Sequence, residues 1–262
     1  MTAPTTALMP APPPAGWLAI AGLGPGDAAL VTPEVSAALA AATDVIGYVP
    51  YVRRVEPRAG LTRHESDNRV ELDRARHALG LAAAGARVVV VSSGDPGVFA
   101  MAAAVFEAIE HGEPGWRTLD VRVLPGITAM LAASARAGAP LGHDFCAINL
   151  SDNLKPAALI ERRLRLAAEA DFAIALYNPR SLARPDGLDR ALAVLRCACA
   201  DPRPVLFARA VTTPAESLRV VPLTEASGDM ADMRTLVIVG SSRTRLIERG
   251  GAPWLYTPRS VE

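Results

Sequence analysis

Short apolar runs that stop at glycine-rich turns and hand over to helix-compatible stretches constrain this chain more than any other feature. Three turns carry the pattern: Gly22-Leu23-Gly24-Pro25-Gly26-Asp27, Ser93-Gly94-Asp95-Pro96-Gly97-Val98-Phe99 and Leu124-Pro125-Gly126-Ile127-Thr128-Ala129. Turns at the carboxyl ends of strands in an open α/β sheet are where ligands usually sit, because backbone without side chains approaches a small molecule closely. The pattern predicts a ligand-binding enzyme core.

Trp17 to Ala21, Arg87 to Val91 and Leu119 to Leu124 read as buried strands. Between and after them, Pro33 to Ala41, Asn68 to Ala84, Val98 to Glu110 and Ile127 to Ala137 read as helices, the first opened by Thr32 as cap and Pro33 in the first turn. Alternation of strand and helix implies a mainly parallel sheet covered by helices. Turn residues at Gly138 to Gly142 break the pattern and predict a domain boundary. Beyond it, strands are expected near 144–150, 172–177, 205–210, 218–221 and 235–239, with helices near 156–169 and 187–200. The expected organisation is a proline-rich tail over 1–15, an amino-terminal α/β domain over 16–139 and a carboxyl-terminal α/β domain over 140–262.

A formal net charge of zero at pH 7 leaves no basic footprint for nucleic acid. Met1 to Ala15 holds five prolines, no basic start and no long apolar run, which reads as a tail on a cytoplasmic protein rather than a signal peptide or membrane anchor. Cys146, Cys197 and Cys199 lie in apolar or alanine-rich surroundings and read as buried free thiols. The single residue between Cys197 and Cys199 does not match a zinc knuckle, so no metal is assigned.

Gly22-x-Gly24-x-Gly26 after a strand suggests a dinucleotide fingerprint, but the third glycine comes too soon and Pro25 removes a backbone donor. No lysine follows, which excludes a Walker loop; a plain chain reversal also accounts for this turn. Gly94-Asp95-Pro96-Gly97 offers approachable backbone and a carboxylate, with Val98 and Phe99 to pack against a flat ring. That set suits a nucleoside better than a polyphosphate.

Taken together, the Gly22 to Asp27 loop, the Gly94 to Phe99 motif, the Pro125 to Ala129 turn, Leu176-Tyr177-Asn178-Pro179 and Thr235 to Gly240 resemble, in order, the tetrapyrrole methylases. The resemblance spans roughly residues 17 to 245. It implies two α/β domains of the class III methyltransferase type, with S-adenosylmethionine folded into a cleft between them, released as S-adenosylhomocysteine. Val45 to Tyr51, Ser66 to Arg69 with Glu71 and Arg74, and Asp144 to Asp152 are similar to the branch that methylates C17 of a tetrapyrrole and contracts the ring.

By that resemblance, Leu23, Gly94, Asp95, Val98, Phe99, Thr128, Ala129, Tyr177, Asn178 and Thr235 line the cofactor site. Tyr48 and Tyr51 rest against the macrocycle, and Arg53, Arg69 and Arg74 meet its carboxylates, guanidinium forks being suited to them. Arg74 can equally pair with Glu71 or Glu65 on a helix surface. Ring contraction asks for an acid or base, for which Asp27, His64 and Glu71 are the candidates; Asp27 serves equally as a helix-start residue. The resemblance also implies a homodimer.

Overall fold

The computed structural model describes residues 16–67, 70–199, 201–250 and 252–260. The expected tail at 1–15 and the candidate Arg69 lie outside the described residues. Two compact units are present. The first joins the described residues up to Leu23 with Val31–Gly126, and the second joins Gly24–Leu30 with the residues from Ile127 onward. The Gly138 to Gly142 turn lies within the second unit.

In the first unit, β1 (Trp17–Gly22), β2 (Asp44–Tyr48), β3 (Thr62–Ser66), β4 (Arg87–Ser92) and β5 (Asp120–Leu124) form one sheet in the order β3-β2-β4-β1-β5. Every pairing is parallel. The connecting helices are α1 (Pro33–Ala41), α2 (Val49–Val52), α3 (Glu71–Ala83) and α4 (Met101–His111). Thr32 caps α1 by accepting from the Val35 N–H at 3.3 Å, with Pro33 in the first turn, as its sequence predicts. Alternate strand residues face opposite layers. Leu18, Ile20, Ile46, Val88 and Val90 pack with Ala75 and Leu79 of α3 and Val105 of α4. Ala19, Ala21, Val45, Val89 and Val91 pack with Val35 of α1 and Val52 of α2.

Adjacent strands β1 and β4 therefore send their chains to opposite faces. The carboxyl edge between them is a topological switch point, where side chains withdraw and ligands bind in open α/β sheets.

The second unit contains α5 (Ala129–Ala137), β6 (Gly138–Ala139), β7 (Phe145–Asn149), α6 (Ala157–Glu169), β8 (Ala173–Tyr177), α7 (Gly187–Ala198), β9 (Pro204–Arg209), β10 (Ser217–Pro222), β11 (Thr235–Val239), β12 (Arg245–Ile247) and β13 (Trp254–Tyr256). Its main sheet runs β10-β9-β11-β8-β7 and is mixed: β7 and β8 are parallel, the other pairings antiparallel. Leu164 of α6 and Leu188, Leu192 and Leu195 of α7 cover one face. The other face carries the small residues Ala175 and Ala208 beside Leu206 and Ile238, and meets Ala132, Ala133 and Ala137 of α5 with Leu255 of β13.

The expected elements are found with shifted ends. Instead of starting at Asn68 and Val98, α3 begins at Glu71 and α4 at Met101. Phe99 takes a left-handed φ of 54°, which no helix tolerates. Among the described residues no helix is long and apolar enough to cross a membrane.

The cysteines depart from expectation. All three are free, but Cys197 is exposed and Cys146 and Cys199 are half-buried, because α7 turns Leu188, Leu192 and Leu195 inward and leaves Cys197 on its outer face. Burial pushes the Cys146 thiol up to about 11. At pH 8 its thiolate fraction is then roughly one part in a thousand. Ellman's reagent is expected to modify Cys197 quickly and Cys146 only after unfolding; equally fast reaction of all three thiols would contradict this burial.

Candidate functional site

In the first unit the three glycine turns meet at the switch point. Leu23, itself buried, donates its N–H to the Ser92 carbonyl at 2.8 Å. A Cβ on Gly22 would lie 2.5 Å from the Gly94 carbonyl oxygen and 2.8 Å from the Gly126 nitrogen. These loops are in backbone contact, so only glycine fits. Gly94 also takes φ +66°, a left-handed conformation that glycine adopts without strain.

Asp95 ties the arrangement together. Its Oδ1 accepts from the Gly97 N–H at 2.8 Å, and its Oδ2 accepts from the Gly126 N–H at 3.0 Å. One carboxylate thus closes its own turn and binds the next. The sequence marked Asp95 as a ligand group; here it holds the loops in place. Val98 is half-buried, and Phe99 presents an exposed ring from its left-handed backbone. Ser92, buried at the end of β4, has an Oγ with no hydrogen-bond partner among the described residues. Buried polar atoms seldom stay unpaired. The glycine cradle and this orphaned hydroxyl fit a ligand with nucleoside chemistry.

Farther along the same carboxyl edge stand Tyr48 and Tyr51, edge to face at 5.3 Å. Burial raises the Tyr51 phenol, Tyr48 adds to this, and Arg54 and Arg74 pull it back. The Arg54 guanidinium donates to the Leu23 carbonyl, and burial lowers its ordinary value. Arg74 is buried, with Nε donating to Ser66 Oγ at 2.8 Å, Nη2 donating to the Asp67 carbonyl, and Nη1 lying 3.2 Å from Met101 Sδ. Burial is also the leading cause of its lowered value, opposed by Glu71. Arg74 therefore braces the end of β3 and Asp67 after it. Arg53 is 70% exposed and only 3.9 Å from Glu65, which leaves its charge accessible.

Of the candidate acids and bases, His64 lies on β3, where Nε2 meets Asp44 Oδ1 at 2.8 Å and the ring stands edge to face with His77 of α3. This places it under α3, back from the carboxyl edge. Glu71 is exposed in the first turn of α3. Asp27 belongs to the second unit. Its Oδ1 accepts from the Ala29 N–H at 2.9 Å, a helix-start role, while its own N–H donates to Thr212 Oγ1 at 3.2 Å.

In the second unit, the ends of β7, β8 and β9 and the start of β11 share one edge. The Tyr177 hydroxyl lies 2.5 Å from Thr128 Oγ1 and accepts from the Met130 N–H at 3.1 Å. It thereby fixes the start of α5, and with it Ala129. Asn178 takes φ 53°, which asparagine tolerates; its Nδ2 donates to Asn149 Oδ1 at 3.0 Å, which also accepts from the Ser151 N–H. Thr235 is buried, and its hydroxyl donates to Asp232 Oδ1 at 2.8 Å. Burial works to raise the Asp232 carboxyl, but hydrogen bonds from Thr235 and Arg209 outweigh it and hold the group below its ordinary value.

Sequence reasoning did not mark Ser92, whose hydroxyl is buried, or Thr212, which meets the Asp27 N–H. Asn149 fell inside a segment already singled out and was signalled by its neighbours. His143 lines a separate cavity with Asp171 and Arg243 at the opposite end of the second unit's sheet.

Comparison with known proteins identifies the family. The model of the Tetrapyrrole (Corrin/Porphyrin) Methylases matches residues 18–227. The chain is 57% identical over 245 residues to a precorrin-3B C(17)-methyltransferase of Sinorhizobium sp, covering 93% of this chain and 96% of that protein. The crystal structure of the methyltransferase CobJ matches with TM-score 0.89 and 64% identity, over 93% of this chain and all (100%) of that one. A uroporphyrin-III C-methyl transferase from Thermus thermophilus, solved with S-adenyl homocysteine, matches with TM-score 0.62 and 25% identity over 86% of this chain and 97% of that one. This chain belongs to the tetrapyrrole (corrin/porphyrin) methylase family.

Proposed function

We propose that the protein transfers a methyl group from S-adenosylmethionine to C17 of precorrin-3B and contracts the macrocycle, with C20 leaving the ring, to give precorrin-4 in cobalamin biosynthesis. The observation that carries this reading is the 57% identity to a protein of that name along nearly its whole length.

When bound, S-adenosylmethionine supplies a methyl group already activated by its sulfonium. What remains for the protein is to align donor and acceptor and to keep water out, and positioning of this kind can supply much of a rate. Leu23, Gly94, Asp95, Val98, Phe99, Thr128, Ala129, Tyr177, Asn178 and Thr235 are the residues this reading assigns to the cofactor. Among them Asp95 and Tyr177 act by fixing backbone. Tyr48 and Tyr51 would support the macrocycle and Arg53 its carboxylates; Arg69 and Arg74 complete the basic set, Arg74 by keeping its turn in place. For the proton lost on ring contraction, Asp27 is the first choice, followed by Glu71 and His64. The same reading takes the enzyme as a cytoplasmic homodimer.

Tyr177→Phe removes one hydroxyl that joins two groups, a loss of about 1–2 kcal/mol. Calorimetry with S-adenosylhomocysteine is expected to show about 5- to 30-fold weaker binding, and unchanged affinity would remove Tyr177 from the site.

The function is tested by anaerobic incubation with S-adenosylmethionine and precorrin-3B, followed by mass and absorption spectra. One added methyl with a changed chromophore is the expected result. Turnover of only a cobalt-containing substrate would overturn the metal-free assignment.

A further inference from the structure

We propose that Thr212, held by Glu216, is a positioning residue for Asp27, so that the turn over 210–216 sets where that carboxylate stands. The inference rests on the methyltransferase reading above, and it concerns residues that no motif in the chain singles out.

Gly24–Leu30 packs with the second unit although it lies far earlier in the chain. What fastens it there is the 210–216 turn. The Asp27 N–H donates to Thr212 Oγ1 at 3.2 Å. A Cβ on Gly26 would lie 2.5 Å from Thr213 Cγ2, 3.1 Å from Thr212 Oγ1 and 3.2 Å from the Val211 carbonyl. The loop thus lies flush against the turn, with no room for a side chain.

Thr212 reaches this position in a conformation it would not choose. Its φ is 66°, and Ala210 two residues earlier has φ 48°; a β-branched residue in the left-handed region is a strained outlier. Such strain persists only where surrounding structure imposes it, and it gathers at functional sites. The restraints are visible. Glu216 Oε2 accepts from the Thr212 N–H at 2.6 Å and lies 3.3 Å from Arg136 Nε, at the end of α5. Ala210 donates its N–H to the Arg234 carbonyl at 2.9 Å, beside Thr235, and its carbonyl accepts from the Thr213 hydroxyl at 2.8 Å. The turn is therefore anchored to α5 and to the start of β11, the elements that carry Thr128 and Thr235.

With its backbone held by Thr212 and Oδ1 held by the Ala29 N–H, the Asp27 carboxylate has a fixed placement. Displacement of a catalytic group by about 1 Å can cost on the order of a hundredfold in rate. Thr212 is thus a positioning residue, acting through Asp27 without touching substrate.

The test is a double-mutant cycle read with S-adenosylmethionine and precorrin-3B. Thr212→Val keeps the β-branched shape and exchanges the accepting hydroxyl for a methyl group. It is expected to lower kcat about tenfold or more, with KM for S-adenosylmethionine and Tm little changed. Thr212→Ser should restore most of the rate, and adding Thr212→Val to Asp27→Asn should cost nothing further. A wild-type rate in Thr212→Val, additive losses, or failure of serine to rescue would each overturn the proposal. Hydrogen exchange of the Asp27 amide needs no substrate: about tenfold faster exchange in Thr212→Val, recovered in Thr212→Ser, supports the link, and unchanged exchange overturns it. Absence of turnover in the unaltered protein would instead count against the functional reading.

Discussion

Gly126→Ala is expected to abolish measurable methyl transfer while leaving the second unit folded. The added Cβ would stand 2.7 Å from the Gly22 carbonyl oxygen and closer still to that of Gly94. Both neighbours are backbone, so no side chain can swing aside. Relief requires separating turns that follow three adjacent or nearby strands, and forcing atoms into a packed region costs about 1–3 kcal/mol or more. At the cradle that displacement falls on the positions proposed to receive the cofactor, so kcat/KM for S-adenosylmethionine should drop at least about 100-fold, equivalent to roughly 2.7 kcal/mol. Gly80→Ala is the matched control: among the described residues nothing lies within 4 Å of its Cβ position. On helix α3 that change should preserve activity and add up to about 1 kcal/mol of stability. Near-normal turnover of Gly126→Ala would mean that the glycine contact has no part in the site.

Asp95→Asn should have the second-largest effect. The carboxylate accepts from Gly97 and Gly126 with separate oxygens, whereas an amide offers one acceptor and turns its NH₂ toward the other N–H. One charge-assisted bond is lost and a donor faces a donor, a cost of about 1.5–3 kcal/mol. Affinity for S-adenosylhomocysteine should fall about 10- to 150-fold by calorimetry. Tm should fall only modestly, because Asp95 touches loops rather than the cores of the unit. A large loss of Tm with unchanged affinity would assign Asp95 to folding alone.

What the sequence disclosed followed burial and local turn chemistry. The valine run of β4 is buried on both faces and reads as a strand without ambiguity. Thr32 and Pro33 announce α1 because the capping interaction spans only three residues. By contrast, β3 reads Thr-Arg-His-Glu-Ser on the sheet edge and has no fully buried residue, so hydrophobic pattern cannot reveal it. The preceding strand, β2, is interrupted by Gly47, where a Cβ would lie 2.7 Å from Val91 Cγ2. Its glycine serves close packing, which looks like a turn when only sequence is known. The antiparallel pairings of β9, β10 and β11 were likewise unreadable, since strand direction follows from connections and not from composition.

The candidate residues divide in the same way. Gly94, Asp95, Tyr177 and Asn178 stand at strand ends and carry recognisable turn chemistry. Thr212 does not: its left-handed backbone is imposed by Glu216 and by contacts with a loop 185 positions earlier. Arg74 looked equally suited to a substrate carboxylate or a surface pair, and only its bonds to Ser66 and Asp67 distinguish a brace from either.

The proposed activity turns on which carbon receives the methyl group. The most direct measurement is anaerobic turnover of precorrin-3B with S-adenosylmethionine labelled with carbon-13 in its methyl group, followed by NMR of the isolated product. The expected product carries one enriched methyl on C17 and a contracted ring with C20 outside it. Enrichment at another carbon, or a labelled product whose ring is still uncontracted, would contradict it.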